Sequence, residues 1–221
     1  MPERFRDRRE AGRLLANQLG RYQGRDDVVV LGLPRGGVPV AFEVAAALRA
    51  PLDVFMVRKL GAPGQEELAI GAVASGGVRV LNRDIIKRLK IRRPQIAAIA
   101  ARELAELGRR ERLFRAGAAA PAIAGRIVIL VDDGLATGAT MRAAVAAVRR
   151  LKPAKIVVAV PVAAREICTQ LAAEADELAC VLTPEPFYAV GACYCDFAQT
   201  QDDEVTALLA AARDAREVPD P

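Results

Sequence analysis

The segment Ile127 to Thr140, IVILVDDGLATGAT, gathers the residue types that bind a sugar phosphate. An apolar run ends in two adjacent acids, Asp132 and Asp133. After a tight turn, the small and hydroxylated residues Ala136, Thr137, Gly138, Ala139 and Thr140 open a helix. Backbone N–H groups at a helix N-terminus, with two hydroxyls beside them, suit a phosphate monoester. Carboxylates at the end of the preceding strand can accept from ribose hydroxyls while the loop holds the phosphate. Rival chemistries fit less well. A receiver-type metal pocket also places acids after a strand, but it lacks a T-G-x-T phosphate loop. Neither G-x-x-x-x-G-K-[ST] nor G-x-G-x-x-G occurs in the chain. A polar turn that merely caps a helix accounts for Thr137 and Gly138, but not for two acids leaving a buried strand.

Composition removes several further classes. None of the 221 residues is histidine, which excludes Ser-His-Asp and Cys-His catalysis, His-ligated zinc and a His general base. A hydrophobic content of 52% with 27% charged residues is that of a soluble globular chain, and the length predicts one domain. No apolar run approaches the roughly 18 residues needed to cross a bilayer. The N-terminus, MPERFRDRRE, has charge without an apolar region behind it, so no secretory signal is expected. Four cysteines then read as reduced thiols of a cytoplasmic protein. Cys193 and Cys195 are expected on one strand face as small buried hydrophobes rather than as zinc ligands.

The elements that must position these groups alternate. A helical stripe occupies 8–19, and VVVLGL (28–33) is a continuous apolar run of the kind buried in a parallel sheet. A helix is predicted over 38–49 with Pro39 in its first turn. LDVFMV (52–57) predicts the second strand and AIGAV (69–73) a third. Asn82 caps a short helix to Lys90, and Pro94 opens a long one to about Phe114, with Ile96, Ile99, Ala100, Leu104 and Leu107 on one side. Strand–helix alternation resumes with strands at 126–131, 155–160 and 177–182, and helices at 138–150, 164–174 and 203–215. The fold class is therefore α/β, a doubly wound, mainly parallel sheet. Residues 76–125 form a basic helical insertion within the single domain 1–221. Residues 79–115 hold twelve Arg/Lys against four acids, while the rest of the chain is slightly acidic. That segment reads as a solvated helical face, since only Phe114 is available there to stack on a base.

Thirteen consecutive residues, VILVDDGLATGAT, resemble the phosphoribosyl-pyrophosphate (PRPP) signature of type I phosphoribosyltransferases. LGLPRGGVPVA resembles that family's pyrophosphate loop after the first strand, and VRKLG its basic pair after the second. The resemblance extends over about residues 28–200 and is strongest to predicted members with an unassigned acceptor. It implies that Asp132 and Asp133 hold the ribose 2′- and 3′-hydroxyls and that Ala136 to Thr140 bind the 5′-phosphate. Arg35, Gly36 and Gly37, with Arg58 and Lys59, would bind pyrophosphate and Mg²⁺, and the Pro34–Arg35 bond would be cis. Asp132 and Asp133 are candidate metal ligands. A flexible loop beginning at Gly61-Ala62-Pro63-Gly64 would cover the site, with Glu67 nominated as its acid–base residue. A homo-oligomer, a dimer, is the expected assembly.

The acceptor should lie under a hood at 183–200, where Phe187, Tyr188, Tyr194 and Phe197 crowd together. Tyr194 and Phe197 are the candidate stacking surfaces and Asp196 the candidate edge reader. An alternating strand would place Tyr194 and Asp196 on one face and Phe197 on the other. The leading function is Mg²⁺-dependent transfer of 5-phosphoribosyl from PRPP to a small nitrogenous base, purine- or pyrimidine-like. The alternative is a non-catalytic PRPP-binding regulator that reaches RNA or DNA through the basic insertion. No membrane partner is expected, and nucleic acid is the disfavoured one. A PRPP-making diphosphokinase is disfavoured by the short chain.

Overall fold

The computed structural model describes residues 4–217. Its main sheet has five parallel strands in the order β2-β1-β6-β7-β8, where β1 is Val28–Gly32, β2 Leu52–Val54, β6 Ile127–Val131, β7 Lys155–Val162 and β8 Glu177–Leu182. The chain runs outward from β1 to β2, then returns to the other side of β1 to lay down β6, β7 and β8. The strand order therefore reverses between β1 and β6, whose pairing runs from Val28↔Ile127 to Gly32↔Val131. In open α/β sheets ligands bind outside the carboxyl ends of the strands at such a point.

Both faces of this sheet are covered, which is why its strands read as unbroken apolar runs. Val28, Val30, Ile127, Ile129 and Val131 face one core with α1 (Arg8–Gln18) and α2 (Gly37–Leu48). Val29, Leu31, Val128 and Leu130 face the other with α5 (Ala139–Arg150) and α6 (Arg165–Ala172). Burying one such aliphatic side chain contributes roughly 1.5–3 kcal/mol, so the register of these strands is tightly specified. Asp7 caps α1 by accepting from the Glu10 N–H at 2.8 Å. The doubly wound, mainly parallel architecture matches the expectation.

The middle of the chain corrects it in part. The expected second strand breaks after Val54, and the expected third does not join the main sheet. Instead β3 (Val57–Ala62), β4 (Gln65–Ala74) and β5 (Val78–Leu81) make a separate antiparallel sheet. Two residues link β2 to β3, too few for the crossover that a parallel neighbour needs. The segment read as a flexible loop is a hairpin. Ala62 pairs with Gln65 across Pro63-Gly64, and Gly64 has φ of 75°, the residue order that a type II turn favours.

Helix α3 (Arg83–Arg88) is capped by Asn82, whose Oδ1 accepts from the Ile85 N–H at 3.1 Å. Helix α4 (Arg93–Arg115) buries Ala100, Leu107 and Phe114 against β3, β4 and α7 (Asp202–Glu217). Its Arg115 also forms an ion pair with the buried Asp53 of β2, Nε–Oδ2 2.9 Å. This end of the segment is thus packed rather than simply solvated.

Residues 190–193 form a 3₁₀ turn, and Tyr194 makes only an isolated parallel bridge with Phe5. No strand alternates through 194–197, so the expected face assignment does not apply. Cys193 is buried and Cys195 exposed, and they do not share a strand face.

Candidate active site

Two loops meet at the switch point. The first leaves β6 through Asp132 and Asp133 and enters α5 at Gly138. Gly138 is required there on two counts: its φ is +68°, and a Cβ would lie 2.7 Å from Ile167 Cγ2. The N-cap Gly138 offers no side chain to cap α5, and the first-turn N–H groups face the loop, with the Ala139 N–H donating to Thr137 Oγ1 at a long 3.4 Å. Ala136, Thr137, Ala139 and Thr140 surround them and are exposed, while Gly138 is buried. The second loop leaves β1 through Leu33 and enters α2 at Gly37, and its Pro34–Arg35 bond is cis. The Leu33 N–H donates to Val131 O at 2.8 Å, which fastens one loop to the other.

Gly36 and Gly37 lie directly against the acids. A Cβ on Gly36 would clash with Asp133 Oδ2, and one on Gly37 would lie 2.8 Å from both Asp132 Cα and Val131 O. Only glycine permits this approach. The structure therefore brings together Asp132, Asp133, the 136–140 loop, Gly36 and Gly37. Arg35 reaches instead toward the start of α7, with Nη1 3.6 Å from Asp202 Oδ1.

Burial pushes the Asp132 carboxyl well above the usual carboxylate range, and the neighbouring Asp133 charge adds to the shift. Asp132 Oδ1 accepts from the Asp133 N–H at 2.9 Å. Burial also raises Asp133, against the pull of Arg8, whose Nε donates to Asp133 Oδ2 at 2.8 Å. Arg8 is the site residue that the sequence reading missed. One signal was present: a cation in the first turn of a helix runs against the helix dipole and asks for another reason to be there.

Arg58, Lys59 and Glu67 stand elsewhere. They line a cavity of about 670 Å³ between the β3–β4 hairpin and α4, together with Gln95 and Arg102. Arg58 Nε donates to Glu103 Oε2 at 2.7 Å, and Lys59 Nζ to Glu67 Oε2 at 3.0 Å. Among the described residues, no hydrogen bond or ion pair joins these three to the 132–140 loop. Glu67 lies on a strand, not in a loop.

The hood residues divide by burial. Tyr194 is 4% exposed, with ring centroids 5.3 Å from Phe5 and 4.9 Å from Phe197. It has no free face for a base, which corrects the stacking expectation. Its hydroxyl donates to the Asp133 carbonyl at 2.5 Å, and burial lifts its phenol far above the ordinary range, so it stays a donor. Phe197 is 36% exposed and carries the Arg8 guanidinium 3.9 Å from its centroid. Asp196 is exposed, and its Oδ1 accepts from the Ala198 N–H at 3.0 Å.

Comparison with known proteins agrees with this geometry. The family profile described as "Phosphoribosyl transferase domain" matches residues 6–183. Over 205 residues the chain is 51% identical to proteins named "Putative phosphoribosyl transferase" from two strains of Mycobacterium tuberculosis. That match covers 93% of this chain and 46% of the relatives, so the chain spans about half the length of the curated relatives it matches. The crystal structure of TT1426 from Thermus thermophilus is 46% identical, with a TM-score of 0.82. That alignment covers 94% of this chain and 98% of the other. The chain belongs to the phosphoribosyltransferase family.

Proposed function

We propose that this chain transfers the 5-phosphoribosyl group of PRPP to a small nitrogenous base, purine- or pyrimidine-like, and releases pyrophosphate. The observation that carries the reading is the meeting of Asp132-Asp133, an uncapped helix N-terminus and a Gly36-Gly37 loop at one switch point. Asp132 and Asp133 would accept from the ribose hydroxyls, and the N–H groups and hydroxyls of 136–140 would hold the 5′-phosphate. The 35–37 loop would face the pyrophosphate. With the sugar fixed at both ends, a ring nitrogen of the base attacks C1′ as the bond to pyrophosphate breaks. Negative charge then builds on the departing group, where fixed donors act most strongly.

The donor set fits Mg²⁺. Among the described residues no group of three or more His, Cys, Asp or Glu forms a metal cage. A cation that keeps its waters and takes substrate phosphates needs only one or two carboxylates, and Asp132 or Asp133 would supply them. When bound, Mg²⁺ would neutralise part of the pyrophosphate charge. Arg58, Lys59 and Glu67 enter this scheme only if the β3–β4 hairpin moves toward the 35–37 loop and Arg58 and Lys59 exchange Glu103 and Glu67 for pyrophosphate. Asp196 and the exposed edge of Phe197 remain the acceptor contacts, with Tyr194 holding them against Asp133. A homodimer is the expected assembly, which light scattering reads directly.

One observation favours the second reading, a PRPP-binding regulator that reaches nucleic acid. Arg79, Arg83, Lys87, Arg88, Arg92 and Arg93 make no ion pair among the described residues, while Arg102, Arg109 and Arg110 do.

The test is PRPP with Mg²⁺ and a panel of bases, reading pyrophosphate release, alongside thermal unfolding. PRPP at a hundredfold excess over Kd should stabilise the wild type by about 2.7 kcal/mol. Asp133→Asn should lose most of that shift, measured from its own ligand-free Tm. An unchanged shift in the variant removes the ribose assignment. Binding without pyrophosphate release from any base favours the regulator.

A further inference from the structure

We propose that Arg8 is a positioning residue: it sets the Asp133 carboxylate for the ribose and joins it to the segment that covers the acceptor. The inference rests on the PRPP reading above. The Arg8 side chain is 12% exposed and makes three contacts of different kinds. Its Nε donates to Asp133 Oδ2 at 2.8 Å, its Nη1 donates to the Ala198 carbonyl at 2.7 Å, and its Cζ lies 3.9 Å from the Phe197 centroid. A flexible side chain held at three points has given up most of its rotamer freedom, unlike a solvated surface arginine. Its position in the first turn of α1 opposes the helix dipole, so helix stability does not account for it.

What the contact does follows from its neighbours. Two adjacent carboxylates repel each other, and together they repel the polyanion that this site would receive. A guanidinium on Asp133 offsets part of that charge. It also fixes rotation: Oδ2 is held between Arg8 and the Gly36 backbone, which leaves Oδ1 to accept from a ribose hydroxyl. Arg8 itself touches no reacting atom in this scheme. Because the same guanidinium is stacked on Phe197 and bonded to Ala198, the ribose and acceptor sides share one side chain. The Tyr194 hydroxyl on the Asp133 carbonyl is a second tie between them.

The experiment is calorimetric titration of PRPP with Mg²⁺ into the wild type, Arg8→Gln, Arg8→Lys, Arg8→Ala and Asp133→Asn, with Tm recorded for each. Arg8→Gln should weaken PRPP about tenfold or more, the loss expected for one charge-assisted hydrogen bond. Arg8→Lys should recover part of the affinity, since it returns the charge but neither the planar fork nor the stack. Millimolar methylguanidinium should restore PRPP affinity to Arg8→Ala and leave Asp133→Asn unchanged. Wild-type affinity in Arg8→Gln would overturn the inference while leaving the function standing. Weakening that tracks Tm and responds to neither lysine nor methylguanidinium would also overturn it, because Arg8 would then serve only the fold. A wild type that does not bind PRPP would remove both.

Discussion

At the scale of single residues, Gly36 measures how little room separates the two loops. A methyl group there would sit inside the contact distance of Asp133 Oδ2, and the nearby atoms are a charged carboxylate and the Arg8 Nε, 3.3 Å away. Gly36→Ala should cost about 1–3 kcal/mol through overpacking. It should also reduce the PRPP-induced Tm shift, because Asp133 is the group that must yield. Gly20→Ala is the control: nothing lies within 4 Å of its Cβ position, and its effect should stay within about 0.5 kcal/mol. Urea unfolding of both variants separates the cases, and equal losses would mean that Gly36 is an ordinary turn residue. In the sequence the Gly-Gly pair alone looks like any turn that opens a helix. The carboxylates from β6 give it meaning, and they arrive from almost a hundred residues away.

At the scale of elements, one acid joins three of them. Asp176, in the turn before β8, accepts from the Ile156 N–H of β7 at 2.7 Å and pairs with Arg149 of α5 at 2.8 Å. The Arg149 hydrogen bond, with help from the Ile156 N–H, holds the Asp176 carboxyl below its ordinary value. A depressed value in the folded state means that the stabilisation is complete above the unfolded value, about 3.9, and is lost as pH falls through the folded one. Both side chains are more than a third exposed, so the pair is worth at most about 1 kcal/mol. Asp176→Asn should therefore be less stable than wild type at pH 7, with the gap closing as pH falls below the unfolded value and through the lower folded one. Denaturant unfolding at pH 7, 5 and 3 reads this, and a gap independent of pH would assign the effect to hydrogen bonding alone. The elements joined here were legible as apolar runs and helical stripes. The β3–β5 sheet was not, because Gly61 to Gly64 has loop composition and the Ala62↔Gln65 pairing makes it a hairpin.

At the scale of the whole molecule, the basic segment splits in two. The cations of α4 from Arg102 onward are largely paired: Arg102 with Glu103, Arg109 and Arg110 with Glu106, and Arg115 with Asp53 and Glu111. Those from Arg79 to Arg93 have no ion-pair partner among the described residues. Unpaired surface cations attract phosphates without reading bases, so nucleic-acid binding should be weak, with Kd around 10⁻⁴–10⁻⁶ M and a steep salt dependence. Reversing Arg92 and Arg93 should flatten the salt slope by roughly 0.9 for each phosphate no longer neutralised. Reversing Arg110 should leave the slope nearly unchanged and cost stability through Glu106. Nanomolar, sequence-selective binding at physiological salt would instead promote the regulator.

By itself the sequence determined what is contiguous. Residues 127–140 form one strand, one loop and one helix start, so the acids and the proposed phosphate loop are neighbours along the chain, and their types point to them. The same holds for β1 and its glycine loop, and for the alternation that makes the sheet parallel. Tertiary structure decided what crosses the chain. Arg8 meets Asp133 across 125 positions, and Asp53 meets Arg115 across 62. Tyr194, chosen as a base platform from its type, is instead a buried tie between the 190–197 segment and Asp133. Aromatic and charged side chains have the same composition whether they face a ligand, a partner or a core. Which of these they meet is set by packing between distant segments, where burial and ion pairing outweigh local preference.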